Sequence, residues 1–449
     1  MGCADYSYGF VLKGLIPALE SLGTWERVEH PESSLAFRAE KARAEGRKPI
    51  HLALHPPQNV YLTPAVPTVV FPFWEFPHLP DRDFGMDTRQ NWVRVCRKAD
   101  LIVAACRFTA ETFQRARIDR PIVVVPVPLA ARCFDVADWD PRREVVLNCR
   151  HVVLGERTSS ALNHVQHARS KNLSLTRVFR AAFRRHARPW LSEDALRLLG
   201  RARRKLSRKS LEPPPLLART DLKLSGLVYT SVFNLGDRRK NVQDILTAFL
   251  LVFREDPNAT LVLKLATNPA REFHDLESLR HYHRGLGIAH ACRVVVLTDF
   301  LSDEHMNQLM LGSTYYVNAS RAEGACIPLQ EALAGGRPAL APSHTAMADY
   351  IDDRVGFVVQ SDPEPTYWPH DPDQRAETSW GRISWSSLRE SYLASAETAR
   401  HDRDRYRDMS RESRRRMDET TSLRFATEAL RQALALLKEE NASSTDWAA

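Results

Sequence analysis

Short apolar runs rich in β-branched residues recur along this chain with helix-patterned stretches between them, and this alternation restricts the fold more than any other feature. Pro49–Leu54, Pro67–Phe71, Leu101–Ala105 and Ile122–Val127 read as buried strands, with helices over Gln90–Lys98 and Thr109–Arg117. Strands this apolar leave neither face to water, so they belong in a parallel sheet covered on both sides by crossover helices. Only ten residues precede Val11–Leu22, which already reads as helix, so the opening strand of such a domain is missing or shortened. A second series begins with strand Leu227–Phe233. It continues as helix Val242–Arg254, strands Thr260–Leu265 and Arg293–Leu297, helix Asp303–Leu311, strand Thr314–Asn318 and helix Pro328–Ala334, closing with strands Pro338–Ala341 and Phe357–Val359. Ser386–Glu440 is helical in pattern, with charges of both signs interleaved as on a solvated helix face.

At 449 residues the chain is about three times a modal domain of ~150, which suits two packed cores. The expected class is α/β, with two doubly wound domains: residues 1–145, a connection or insertion over 146–222, a second domain over 223–378 and a helical segment over 379–449. The connection carries helical patterns at Ser174–Trp190 and Glu193–Leu206, then a Pro213–Pro215 breaker.

The net charge of +8 suggests a polyanion partner until the charge is located. Residues 169–209 hold 14 Lys and Arg against Glu193 and Asp194, a local +12 that leaves −4 for everything else. No stacking platform or recognition motif accompanies that charge, so nucleic acid is not the expected partner. Two readings remain for the segment: a solvated connection, or an interfacial helix in which Arg180, Arg184, Arg185 and Arg188 flank Phe179, Phe183 and Trp190 and meet anionic lipid headgroups. The longest apolar runs fall well short of the ~18 residues that cross a bilayer. Seven cysteines, without a C-x-x-C pair, argue against a disulfide framework and a zinc site. The expected setting is cytoplasmic, with the basic segment offering contact to the inner face of a membrane.

Glycine is sparse, 18 residues against the usual ~7%, yet three fall within Ser320-Arg-Ala-Glu323-Gly324-Ala325-Cys326-Ile-Pro328-Leu-Gln-Glu331-Ala-Leu-Ala-Gly335-Gly336-Arg-Pro338. Here a strand should end, a constrained loop follow, and a helix start near Pro328. Ligands of open α/β sheets bind beyond the carboxyl ends of strands, and helix-start amides attract phosphate, so Gly324, Ala325 and Cys326 are anion-binding candidates. Glu323 should lie in the loop and Glu331 on the helix's first turn. The second cluster, Asn234-Leu-Gly-Asp237-Arg238-Arg239-Lys240-Asn241, follows the first strand of its domain and places cations where a diphosphate would be neutralised without a metal. A helix start decorated with acids and a solvated basic loop are the plainer readings of the same residues.

Glu323 and Glu331, with seven residues between them, Gly324 and Pro328 included, and an Ala-Gly-Gly-x-Pro tail, resemble the E-x7-E signature of retaining nucleotide-sugar glycosyltransferases of the GT-B fold. Arg239-Lys240-Asn241, with Asp244 and Ala248-Phe249, is similar to that group's R-K-x…A-F segment. The resemblance spans roughly residues 223–360, and the N-terminal half only in outline. It implies two Rossmann-like domains facing a cleft. Glu331 would bond the nucleotide ribose, Glu323 the donor sugar, and Arg239 with Lys240 the departing diphosphate. Phe300 and Leu301 would pack on the base. Asn234 stands near the place of an Arg that many members carry, and His344-Thr345-Ala346 stands where a Gly-Gly pair is frequent. On the acceptor side, the resemblance implies a glycine-containing loop, for which Tyr8-Gly9 is the candidate, and a residue after the second strand, where Glu75 stands in place of a His.

The expected activity is transfer of a sugar from a nucleotide diphosphate to a glycan or lipid-linked acceptor hydroxyl, with no cofactor and no metal. The alternative is a catalytically silent GT-B scaffold serving as a binding or assembly subunit. Deleting residues 169–209 is expected to weaken co-sedimentation with anionic vesicles while leaving donor binding unchanged; equal sedimentation would discard the docking helix.

Overall fold

The structure, a computed structural model, describes residues 4–83, 87–155, 217–266, 269–368, 371, 374 and 376–443. The helical patterns at 174–190 and 193–206, and the basic segment that contains them, lie outside the described residues.

The N-terminal region opens with helices α1 (Ala4–Leu22) and α2 (Pro31–Ala44). Strands β1 (His51–Ala53), β2 (Thr68–Val70), β3 (Leu101–Ala104) and β4 (Ile122–Val124) then pair in parallel in the order 1-2-3-4. The crossovers between β2 and β4 carry α3 (Trp92–Cys96) and α4 (Arg107–Arg115). Val69, Leu101 and Val103 face Val11 and Leu15 of α1, so the first helix covers the sheet that its sequence position left without an opening strand.

Within the span expected as a connection, the structure places strands β5 (Val145–Cys149), β6 (His151–Leu154) and β7 (Thr220–Leu224). β5 and β7 form an antiparallel pair, and β6 joins the edge of the C-terminal sheet against the strand Arg293–Leu297. The alternating burial of β5 shows a strand with one face in water, a pattern that sequence scans for uniformly apolar runs pass over.

The second sheet is built from β8 (Leu227–Phe233), β9 (Ala259–Leu265), β10 (Arg293–Leu297), β11 (Tyr315–Val317), β12 (Ala339–Ala341) and β13 (Gly356–Val358), in the order 13-12-11-8-9-10-6. All pairs except β10 with β6 are parallel. Tyr229, Leu261, Leu263, Val294 and Val296 point into one core, and Val228, Val262, Val295 and Leu297 into the other. Helices α5 (Val242–Val252), α6 (Pro269–Leu286), α7 (Asp303–Gly312) and α8 (Ile327–Ala334) connect the strands. Strand order runs outward from β8 in one direction and from β11 in the other, so these two neighbours bracket the topological switch point, where open α/β sheets bind ligands.

After β13 an antiparallel hairpin, β14 (Ser361–Tyr367) with β15 (Glu377–Ile383), precedes the helices α9 (Trp385–His401), α10 (Arg403–Thr421) and α11 (Leu423–Ser443). The last helix returns to the N-terminal region, where Leu430, Ala433 and Leu437 pack with Val11, Leu15 and Ala18. Among the described residues no helix is long and apolar enough to cross a membrane.

Gly336 closes the turn after α8 at φ +69°, and a Cβ there would lie 2.5 Å from Nε of Arg414 and 2.7 Å from Oγ of Ser410. Both neighbours are committed: Ser410 Oγ donates to the Gly336 carbonyl and Arg414 donates to the carbonyls of Phe134 and Val136. Gly336→Ala is therefore expected to cost about 1–3 kcal/mol of stability, since it adds backbone strain to a clash. An unchanged Tm in calorimetry would show that the turn relaxes freely.

Candidate active site

Each of the two neighbouring strands β8 and β11 releases a loop at its carboxyl end, residues 234–241 and 318–326, and the two loops are tied together. The amide of Arg321 donates to the Arg239 carbonyl at 2.8 Å. Asn234 makes the first bend, its Oδ1 accepting from the Gly236 amide at 2.9 Å. Asp237 caps the single turn Arg238–Lys240 by accepting from the Arg239 amide, and Asn241 leaves that turn in the left-handed region before α5 begins. In the other loop, Asn318 accepts from the Ser320 amide and donates to Sγ of Cys326 at 3.0 Å. Cys326 itself adopts φ 60°, ψ 55°, a conformation unusual for a side-chain-bearing residue, directly before α8.

These turns bring the predicted cations and the first glutamate into contact. Lys240 Nζ sits 2.5 Å from Oε1 of Glu323. Arg239 grips Asp237 through both carboxylate oxygens, at 3.1 and 2.6 Å, donates to the Ala322 carbonyl at 2.9 Å and reaches Oε1 of Glu75 at 3.1 Å. Glu75 belongs to the N-terminal domain, so this contact spans the seam between domains. Burial disfavours the Glu323 carboxylate, but Lys240 and Arg239 outweigh that effect and hold its pKa down to about 2. For Glu75 the balance falls the other way: burial, with Asp237 and Glu323 nearby, raises its pKa despite Arg239 and Lys240. Burial pushes the Lys240 pKa down, but Glu323 together with Cys326 and Asp237 outweighs that cost and raises it.

Gly324 packs against the same N-terminal loop, where a Cβ would come within 3.3 Å of the Trp74 amide nitrogen. The Ala325 carbonyl accepts from the Tyr350 hydroxyl at 2.8 Å, and its side chain joins the core of the N-terminal domain. Glu331 lies apart from this cluster. It is the fifth residue of α8, so it begins the second turn and not the first. Arg132 Nη2, from the N-terminal domain, stands 3.3 Å from Oε1 of Glu331 and 3.3 Å from Oδ1 of Asp303; Lys13 completes the group at 2.7 Å from Asp303. Burial raises the Glu331 pKa and Arg132 opposes it.

Phe300 and Leu301 separate: Phe300 is 61% exposed, whereas Leu301 turns into the core with Leu297 and Leu309. Tyr8 is buried, and its hydroxyl accepts from the Phe73 amide at 3.2 Å. Gly9 does not form a loop. It lies inside α1, exposed, with nothing within 4 Å of an added Cβ, because Ala4–Leu22 is one continuous helix. His344 is neutral, its pKa lowered by burial; Nε2 donates to the Ser320 carbonyl at 3.0 Å, and Nδ1 accepts from the Ser361 hydroxyl at 2.7 Å. The ring thus occupies the space of the expected glycine pair and braces the hairpin against the loop.

Several residues at the site carry no motif. Arg132 follows an apolar run as an isolated charge. Arg321 reaches Oε2 of Glu364 at 3.0 Å and lies over the Trp380 ring at 4.8 Å, both on the hairpin. Arg271, on α6, approaches Gly236, with Nη2 3.3 Å from the position of an added Cβ. A cation beside the Asn234 turn therefore comes from another element, the second crossover of the domain.

These two loops at the switch point, on a chain of two Rossmann-like domains with C-terminal helices, define a GT-B fold, as expected from sequence. A glycosyltransferase from Rickettsia africae superposes with a TM-score of 0.50 at 12% identity, over 93% of this chain and 84% of that one. Sucrose-phosphate synthase from Thermosynechococcus elongatus (TM-score 0.48, 14% identity, 93% and 81% covered) and Anabaena HepE, solved with UDP and glucose (0.47, 11%, 91% and 83%), are also similar. Residues 226–367 match the family model for glycosyl transferases group 1, a stretch that contains both loops. Curated protein sequences give no match.

A carboxylate held near pKa 2 stabilises the fold above its unfolded-state value near 4.5, and that contribution fades as pH falls toward 2. Glu323→Gln, which leaves Lys240 without its partner, is therefore expected to cost about 1–3 kcal/mol at pH 7 and much less at pH 2.5. Urea unfolding at both pH values checks this; an equal cost at the two would remove the ion pair as the cause.

Proposed function

We propose that the chain transfers a sugar, with retention, from a nucleotide diphosphate donor to an acceptor hydroxyl, in cell-envelope or exopolysaccharide synthesis. The observation that carries the reading is the meeting of Arg239, Lys240 and Glu323 at the switch point, within the stretch that matches glycosyl transferases group 1. Arg239 and Lys240 stabilise the leaving diphosphate, so the reaction needs no metal. Glu323 holds donor-sugar hydroxyls, with Gly324, Ala325 and Cys326 lining the turn below them. Glu331 takes the ribose, with Asn234 and Phe300 bordering the nucleotide. Leaving-group stabilisation supplies most of the barrier reduction, and the departing phosphate accepts the acceptor's proton on the same face of the sugar. Tyr8 and Glu75 border the acceptor side. A lipid-linked acceptor would suit the basic segment at a membrane.

The silent-scaffold reading draws on one observation: both cations and both glutamates are already paired within the chain. Turnover separates the two readings. Lys240→Ala is expected to lower release of nucleoside diphosphate by about 100-fold or more, and Glu331→Ala to lower it strongly, with circular dichroism unchanged. Near-normal turnover in both variants would sink the assignment.

A further inference from the structure

Two cations, Arg239 and Lys240, face three carboxylates, Asp237, Glu323 and Glu75, in one half-buried cluster. Such a cluster repels a diphosphate as it stands. Asp237 is bound into the turn as its cap, and Glu323 takes its charge from Lys240, so neither can leave without undoing a loop. Glu75 differs. It reaches in from the opposite domain and meets Arg239 at 3.1 Å through Nη1, the nitrogen that also donates to the Ala322 carbonyl, whereas Asp237 holds Nε and Nη2.

We propose that Glu75 occupies the donor phosphate's place on Arg239, and that diphosphate binding displaces it with uptake of one proton from solvent. The inference rests on the nucleotide-sugar reading and adds a control to the same site. The step is balanced: the Arg239–carboxylate contact breaks, an Arg239–phosphate contact forms, and the released carboxylate becomes a carboxylic acid. Every anionic neighbour favours that outcome once Arg239 turns to phosphate. Asp237 and Glu323 remain as anions, the phosphate adds another, and Tyr8 of α1 is buried beside the loop with its hydroxyl unable to ionise at neutral pH. Lys240 alone still favours the charged form, and Glu323 holds it. Burial already lifts the Glu75 pKa before any ligand arrives. The loop that carries Glu75 is pinned before it, by the Phe73 amide to Tyr8 and the Trp74 carbonyl to the Thr109 hydroxyl, and after it, by the Phe76 carbonyl to the Thr112 hydroxyl, so the side chain moves while its backbone stays.

Calorimetry of the full chain with UDP, GDP and ADP in turn, each in two buffers of different ionisation enthalpy, counts the protons taken up. With the nucleotide that binds, the wild type is expected to take up close to one proton more than Glu75→Gln at neutral pH. Its affinity should fall about tenfold per pH unit relative to the variant, because uptake of one proton sets a slope of one. Glu75→Gln should bind more tightly at pH 8, having no charge to displace, and Glu75→Ala provides the same comparison if the amide misfolds. Equal proton counts, or weaker binding by both variants, overturn the displacement. If binding occurs and Lys240→Ala removes it while proton counts match, only this inference falls; if no nucleotide binds, the donor reading falls with it.

Discussion

The ion pair between Lys240 and Glu323 is the contact on which the site depends. Its partners leave adjacent strands, and those strands are adjacent only because the sheet reverses its winding between β8 and β11. Reversal leaves two loops at one edge with no crossover helix above them, and backbone amides and carbonyls there need partners. Asp237, Asn234 and Asn318 supply them locally, which fixes where Arg239, Lys240 and Glu323 point. A half-buried lysine is tolerable next to a carboxylate and costly without one, so each side chain stabilises the conformation that presents the other.

The C-terminal domain was legible because its strands are apolar on both faces. Val228 and Tyr229 enter different cores, and so do Val262 and Leu263, which gives continuous hydrophobic runs that periodicity detects directly. The elements missed have the opposite character. Helix α6 is rich in charged residues and histidine, with a weak apolar stripe. The first strand of the hairpin contains Pro363 and Pro365 and exposes four of its seven residues, which sequence rules count against a strand. Its ladder survives because a two-stranded ribbon has two free edges to place a proline on. The resemblance implies a loop at Gly9, whereas an exposed helical glycine merely costs some propensity.

The candidate site was legible in part for the same reason. Glu323, Arg239 and Lys240 announce themselves through spacing within single loops, and the structure brings them together. Arg132, Arg321 and Arg271 do not, because each enters from another element and its relation to the site exists only after folding. Glu331 shows the limit of a spacing argument. Its distance from Glu323 in sequence is the family's, but left-handed Cys326 starts the helix one residue earlier than Glu331 needs for a first-turn position, and the carboxylate meets Arg132 instead of the Lys240 cluster.

Both glutamates thus face cations, but the cations have different origins. Glu323 is neutralised from within its own domain, and Glu331 from across the seam. The same crossing occurs in reverse at Arg239, which takes a carboxylate from the N-terminal loop. Any shift of one domain against the other therefore perturbs Arg239 and Glu331 together while leaving Lys240 and Glu323 paired. The seam is crossed by ion pairs of both polarities, with Lys13 and Arg132 on Asp303 adding to the Glu331 contact, so it responds little to the chain's overall charge. The local count of two cations against three carboxylates, and not the chain's net charge of +8, decides what can enter.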